Sequence, residues 1–368
     1  MGKFDATLGR GNRTYLSLKI REMKRIVGLD CLRIMMVFMV FLFHSWMHLG
    51  LQIGKLTSFI SEGAVYMTMF FMLSGYVLGL KYKHLTMDKL SLRNFYVKRI
   101  ASIFPLYIIC VVLYPPIYGR ESLFQNILII PFELLGVQSF FPGLTPVSHN
   151  GGTWFVSCIM FCYLLCPLML RIICFLSRKT LLILGTLIFA LLLLSPWIVY
   201  TFQIQDIYSN PYIRSLEFML GIILATGFAE DISSRSNSLL RSRMSRLLSY
   251  LSIVIVVMLL LKMNVPHMTY MSYSAILIPF FCWQLLGHTT TPRKENVIVK
   301  HLADISYSFF LLQLFVFEFT VDVSQWLGLV NVNFQFALAL IMCLVLASLS
   351  HKFIEMPIVS WVKSSMLK

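Results

Sequence analysis

"LDCLRIMMVFMVFLFHSWMHLG" (Leu29–Gly50) is long and apolar enough to cross a bilayer as a helix, which takes about twenty residues. It nevertheless carries Arg33 and His44 inside the apolar run, with Asp30 just before them. Ionisable groups at membrane depth are costly and mark functional positions. Eleven residues at 100° each make three turns plus roughly 20°, about 16 Å along a helix axis. Both side chains therefore project from one face, Arg33 near the cytoplasmic end and His44 near mid-membrane. That face is read as pointing into a bundle, toward a cavity. Each residue also has a plainer reading: Arg33 snorkelling to the interface and His44 making an interhelical hydrogen bond. Asp30, three residues before Arg33, can pair with it. His48, one turn beyond His44, is read as interfacial.

The whole chain has the same character. It is 58% hydrophobic and 13% charged, with a mean hydropathy of +0.78, against about 25% charged residues in a soluble domain. The fold class is all-α, a polytopic transmembrane helical bundle. Apolar runs place about ten spans, near residues 31–50, 60–80, 101–118, 153–175, 181–202, 212–229, 247–263, 268–287, 304–324 and 333–350. Segment 123–141 is apolar but interrupted by Pro131 and Glu133, and is read as re-entrant or interfacial. With ten spans and the N-terminus inside, one side of the membrane collects 26 of the 31 Lys and Arg residues, and the other has only Lys55, Arg120, Arg214 and Lys262. Lys/Arg excess marks the cytoplasmic side, so the expected topology is N-in and C-in. Counting 123–141 as a span would put "SSRSNSLLRSRMSR" and "TPRKENVIVK" outside.

The net charge of +15 is accounted for by basic inner loops against an anionic leaflet, with no nucleic-acid partner. The expected organisation is a basic cytoplasmic segment (1–28), one transmembrane domain (29–358) and a short cytoplasmic tail (359–368), in a multi-pass protein of the cell (inner or plasma) membrane. The basic start shows no cleaved signal peptide. The eight cysteines lie in or beside apolar spans, where thiols pack as small hydrophobes. Cys158, Cys162 and Cys166 share a helix face but have no local His or carboxylate, so no metal site is expected.

A histidine at that depth suits proton transfer, because its pKa lies near neutrality. An arginine below it offers a positive fork for phosphate or an oxyanion. The inner loop 81–100 carries Lys81, Lys83, Lys89, Arg93, Lys98 and Arg99, a charge pattern that suits phosphates and equally an ordinary cytoplasmic loop. Arg214 and Glu217 stand three apart in "RSLEF" and can neutralise each other.

Taken together, these stretches resemble the acyltransferase-3 family of integral membrane acyltransferases. "LDCLRIMMVFMVFLFH" is similar to its first-helix signature, an Arg, ten residues, then His. In order follow "FFMLSGYVLGLKY" (70–82), "FYVKRIASIFPLY" (95–107), "GGTWFVSCIMFCYLLCPLM" (151–169), "RSLEFMLGIILA" (214–225), "ISYSFFLLQLFVF" (305–317) and "HKFIEMP" (351–357). The resemblance covers roughly residues 25–360. It implies transfer of an acyl group, most often acetyl, from cytoplasmic acyl-CoA to a glycan hydroxyl. His44 is then the essential catalytic residue and Arg33 its partner, and the basic entry to the third span helps to hold the donor. Arg99 is the first candidate there, with Lys98 or Arg93 as the second charge, because Ser102 replaces the second Arg of the usual Arg-x-x-Arg. Ile159 and Met160 stand where many members have glutamates, and Gln313 stands where a His is common. Glu318 and Asp322 are alternative acids or solvated groups. Ser74 lines a cavity or eases helix packing.

The function expected is an integral membrane O-acyltransferase acting on a cell-surface or lipid-linked glycan. Acetyl-CoA (acyl-CoA) is its co-substrate, and no cofactor is permanently bound. His44 serves as general base or transient acyl carrier, Arg33 orients the donor or stabilises negative charge, and Arg214 and Glu217 bind the acceptor. The alternatives are a transporter or exporter of a glycan or acylated substrate, whose intramembrane charges would form a proton or substrate path, and a non-catalytic partner in glycan assembly.

Overall fold

The computed structural model describes residues 25–118, 122–144, 148–202, 207–229 and 296–365. No strand occurs among the described residues. The helices are α1 (Val27–Leu49), α2 (Tyr66–Tyr82), α3 (Lys89–Tyr118), α4 (Leu123–Leu135), α5 (Trp154–Phe175), α6 (Arg178–Phe202), α7 (Pro211–Gly227), α8 (Val297–Asp304), α9 (Ser306–Trp326), α10 (Val332–Ser350) and α11 (Met356–Ser365).

Seven stretches are long and apolar enough to cross a membrane: α1, Gly54–Tyr82, α3, Gly151–Phe175, Arg178–Ser195, α9 and Val332–Ser365. They fall on seven of the spans expected from sequence. The eighth, 212–229, is α7, a 17-residue helix. The expected spans 247–263 and 268–287 lie outside the described residues. Segment 123–141 forms only the 13-residue α4, about 20 Å long, too short for a hydrocarbon core of about 30 Å.

Local chemistry sets the helix ends. The backbone of α1 turns left-handed at Gly50 (φ 71°), whose amide reaches back to the Ser45 and Trp46 carbonyls; a residue without a Cβ adopts this at little cost. Ser122 and Gln125 form a reciprocal capping box at the start of α4. Asn210 caps α7, with Pro211 in its first turn. Asp88 accepts from the Leu90 and Ser91 amides at 3.1 and 3.0 Å and so starts α3 at Lys89. Hydrogen bonds from the Thr86 hydroxyl and the Ser91 amide hold the Asp88 carboxyl below its ordinary pKa.

The cap at Asp88 corrects one expectation. The apolar run begins near residue 101, but the helix begins twelve residues earlier. Arg93, Lys98 and Arg99 therefore sit on the first turns of α3 and not on a loop.

The tightest contact in the bundle joins α2 and α7. A Cβ built on Gly75 would lie 2.0 Å from the Phe218 carbonyl oxygen, and one on Gly221 would lie 2.0 Å from that of Met72. Lipid supplies no hydrophobic drive between helices, so small residues let backbones approach and gain dispersion. Across the bundle, Phe41 of α1 packs on Phe309 and Phe317 of α9, with ring centroids 5.4 and 5.3 Å apart. Helices α1, α2, α5, α7 and α9 thus contribute to a continuous interior, and the site lies there.

Candidate active site

The face of α1 predicted from spacing is the one that meets cavities. Arg33 lines a cavity of about 280 Å³, with Ser74 of α2, Ser102 of α3, Tyr163 of α5 and Glu355 among its walls. His44 lines a second cavity of about 300 Å³ with His48, Tyr114, Trp154 and Tyr208.

Among the described residues, one hydrogen bond holds His44. Its Nδ1 lies 2.7 Å from Gln313 Oε1 of α9. With the amide oxygen accepting, the ring proton sits on Nδ1 and Nε2 keeps its lone pair. This is how a base is oriented for proton abstraction. Gln313 is fully buried, and its amide nitrogen has no hydrogen-bond partner among the described residues. His48, exposed in the last turn of α1, lines the same cavity; its ring stacks on Phe317 (5.6 Å, 9°) and lies 6.0 Å from the His44 ring.

Arg33 is unlike the other charges of the interior, because it makes no hydrogen bond or ion pair among the described residues. The expected pairing with Asp30 does not form. Asp30 instead accepts from Arg25, which also bonds Asp304 at 2.8 Å and the Lys300 carbonyl at 3.2 Å. Arg25 precedes α1 and can reach both acids, whereas the Arg33 side chain is directed to the cavity. The Glu355 carboxylate in the same cavity is also engaged. It accepts from the Ser308 hydroxyl and lies 3.2 Å from His351 Nδ1, positioned by a π-helical turn over His351–Glu355, a distortion frequent at functional sites.

Arg99 reaches the same region. Its guanidinium lies 5.7 Å from the centroid of the Tyr163 ring, and its Nε is buried without a hydrogen-bond partner among the described residues. Arg33 from α1, which lines the cavity together with Tyr163, Asp304 and Glu355, and Arg99 from α3 form no ion pair among the described residues. Planar guanidinium forks recognise phosphate and carboxylate. Ser102 turns its hydroxyl back to the Arg99 carbonyl at 2.9 Å. Arg93 is exposed, Lys98 and Arg99 are half-buried, and none of the three lines the cavity.

Arg214 and Glu217 are fully buried and bonded to each other at 2.9 and 3.0 Å. Thr68 donates to Glu217 at 2.8 Å, and Arg214 Nε donates to the Tyr208 carbonyl at 2.8 Å. The guanidinium also lies 4.6 Å from the Tyr208 ring, 5.4 Å from Trp154 and 5.5 Å from Phe71. The pair stands behind the aromatic wall of the His44 cavity, and it touches two rings that line it. Glu318 is half-buried and Asp322 exposed near the end of α9.

Sequence reasoning missed a second buried cluster. Glu133 of α4 lies 2.7 Å from His149 Nδ1, accepts from the His149 amide at 2.9 Å and from Ser148 at 2.8 Å, and its carbonyl accepts from Tyr107. His149 Nε2 meets Asn126. This clamp fixes the chain leading to Gly151 and Trp154, both of which line the His44 cavity. The only sequence signal was an acid inside an apolar segment. No metal-binding group of His, Cys, Asp or Glu occurs among the described residues. Cys158, Cys162 and Cys166 are buried in the bundle interior.

No curated protein and no solved structure matches the chain. A family model described as an acyltransferase domain matches residues 26–351, which includes α1 through α10 and every cavity residue named above except Glu355. With that match over most of its length and its apolar helices, the chain belongs to the acyltransferase-3 family and is a multi-pass membrane acyltransferase.

Proposed function

We propose that this protein moves an acyl group, acetyl by preference, from cytoplasmic acyl-CoA to a hydroxyl of a cell-surface or lipid-linked glycan. The observation that carries the reading is the pairing on α1. A guanidinium with no ion pair among the described residues lines one cavity, and an imidazole oriented by Gln313 lines the next, about 16 Å further along the same helix.

On this reading the N-terminus is inside, and the Arg33 cavity receives the donor from the cytoplasm. Arg33 and Arg99 bind its anionic groups, and Arg93 and Lys98 on the outer turns of α3 add attraction for the phosphates. The acceptor hydroxyl sits in the His44 cavity. His44 Nε2 takes its proton as the hydroxyl oxygen bonds to the thioester carbonyl carbon. The carbon–sulfur bond then breaks, and the CoA sulfur leaves with the proton returned by the imidazolium. The Nδ1 hydrogen bond to Gln313 keeps the ring aimed through both transfers. Trp154 and Tyr208 offer flat apolar surfaces to a sugar ring, and Arg214 and Glu217 act on the acceptor by holding them.

The test compares cell-surface glycans by mass spectrometry in cells with the intact gene, a deletion, or His44→Ala. Loss of one acetyl-sized increment in both altered strains supports the reading. Loss of the whole glycan on deletion, with His44→Ala behaving as intact, points to export instead.

A further inference from the structure

The two cavities meet at two side chains. Met67 of α2 and Phe310 of α9 line both, whereas Arg33 lines only the first and His44 only the second. Met67 is 2% exposed and Phe310 7%, so both are packed into the interior. Met67 and Phe310 therefore stand at the boundary that a group moving directly from one cavity to the other meets. The two walls differ in stiffness. Phe155, itself part of the first cavity, packs against Phe310 with ring centroids 5.1 Å apart at 68°. Met67 is unbranched, with three rotatable bonds, and can yield.

We infer that Met67 and Phe310 form a constriction between the Arg33 and His44 cavities that selects the acyl group by length. The inference rests on the acyl-CoA reading of the two cavities and adds the residues that set donor specificity. The leading end of the thioester must pass the constriction to reach His44. A two-carbon acyl group displaces only the methionine end, whereas each further methylene has to be accommodated between Met67 and a braced ring. An apolar site discriminates by roughly 10-fold or more per methylene, so such a constriction separates acetyl from butyryl.

The experiment presents the purified full chain with acetyl-, butyryl- and hexanoyl-CoA and compares kcat/KM for each. The wild type is expected to prefer acetyl-CoA. Met67→Ala is expected to raise the butyryl-to-acetyl ratio by about 10-fold or more, and Phe310→Leu, a milder truncation, to move it in the same direction. The second variant decides the matter if the first does not fold. An unchanged ratio in folded variants overturns the inference, as does a wild type that prefers hexanoyl-CoA. Those outcomes leave the acyl-CoA reading standing. Absence of transfer from all three donors by the wild type overturns that reading, and the inference with it.

Discussion

Gln313→Leu removes the one hydrogen bond that orients His44 and keeps nearly the same side-chain volume. Gln313 is fully buried and lines neither cavity, so the change leaves substrate contacts in place. The 2.7 Å bond to Nδ1 is lost, and a buried N–H is left without a partner, at a cost of about 1–3 kcal/mol. If the transition state relies fully on that orientation, the same energy appears in the barrier, at 1.36 kcal/mol per decade of rate. The expected result is a fall in kcat of roughly 5-fold to 150-fold with KM for acyl-CoA nearly unchanged. Gln313→His, which restores a ring nitrogen able to accept, should recover much of the rate. The assay is steady-state transfer by detergent-purified protein, with thermal unfolding as the control for folding. A folded Gln313→Leu protein with unchanged kcat, or with only KM altered, would refute the assignment of Gln313 as the residue that positions the base.

Further outcomes follow from other contacts. Arg33→Ala and Arg99→Ala should each weaken acyl-CoA binding by roughly 10-fold to 100-fold, since a hydrogen bond to a charged group contributes about 1.5–3 kcal/mol; isothermal titration on purified protein checks this. Arg214→Met should leave Glu217 buried and unpaired, at about 3–5 kcal/mol, and abolish stable expression. The double change Arg214→Met with Glu217→Met should restore expression, while a pair that bound substrate directly would show no such recovery. Gly221→Val should prevent the approach of α7 to α2, because even its Cβ meets the Met72 carbonyl oxygen at 2.0 Å, and should abolish the folded monomer in size-exclusion profiles. Labelling of a cysteine placed at Thr86 from the cytoplasmic side alone would agree with the proposed orientation; labelling from outside would reverse it.

The spacing of Arg33 and His44 was legible because helical periodicity is fixed, so one stretch of sequence places both on a common face. What each residue touches was not legible. The partner of His44 is 269 residues away, and Gln313 stood out in the sequence only as a substitution for histidine. Asp30 was expected on Arg33 from its i−3 position. Arg25, just outside the helix, reaches it and Asp304 together and wins the pairing. The start of α3 was misplaced because apolarity reports where lipid begins, whereas helix begins at the Asp88 cap. The pairing of Glu133 with His149 was not legible for a related reason: a loop histidine and an acid in an apolar segment carry no periodic signal, and only folding brings them to 2.7 Å. The boundary pair Met67 and Phe310 is likewise ordinary in sequence and distinctive only through the two spaces it separates.

The most direct measurement of the central claim is transfer of isotope-labelled acetyl from acetyl-CoA by the purified protein in liposomes, with cell-derived glycan as acceptor, for wild type and His44→Ala. The account predicts label on the glycan with the wild type. It also predicts none with His44→Ala, although that variant still binds acetyl-CoA through Arg33 and Arg99. Equal labelling by both proteins would contradict the assignment of His44 as the base on which the mechanism depends.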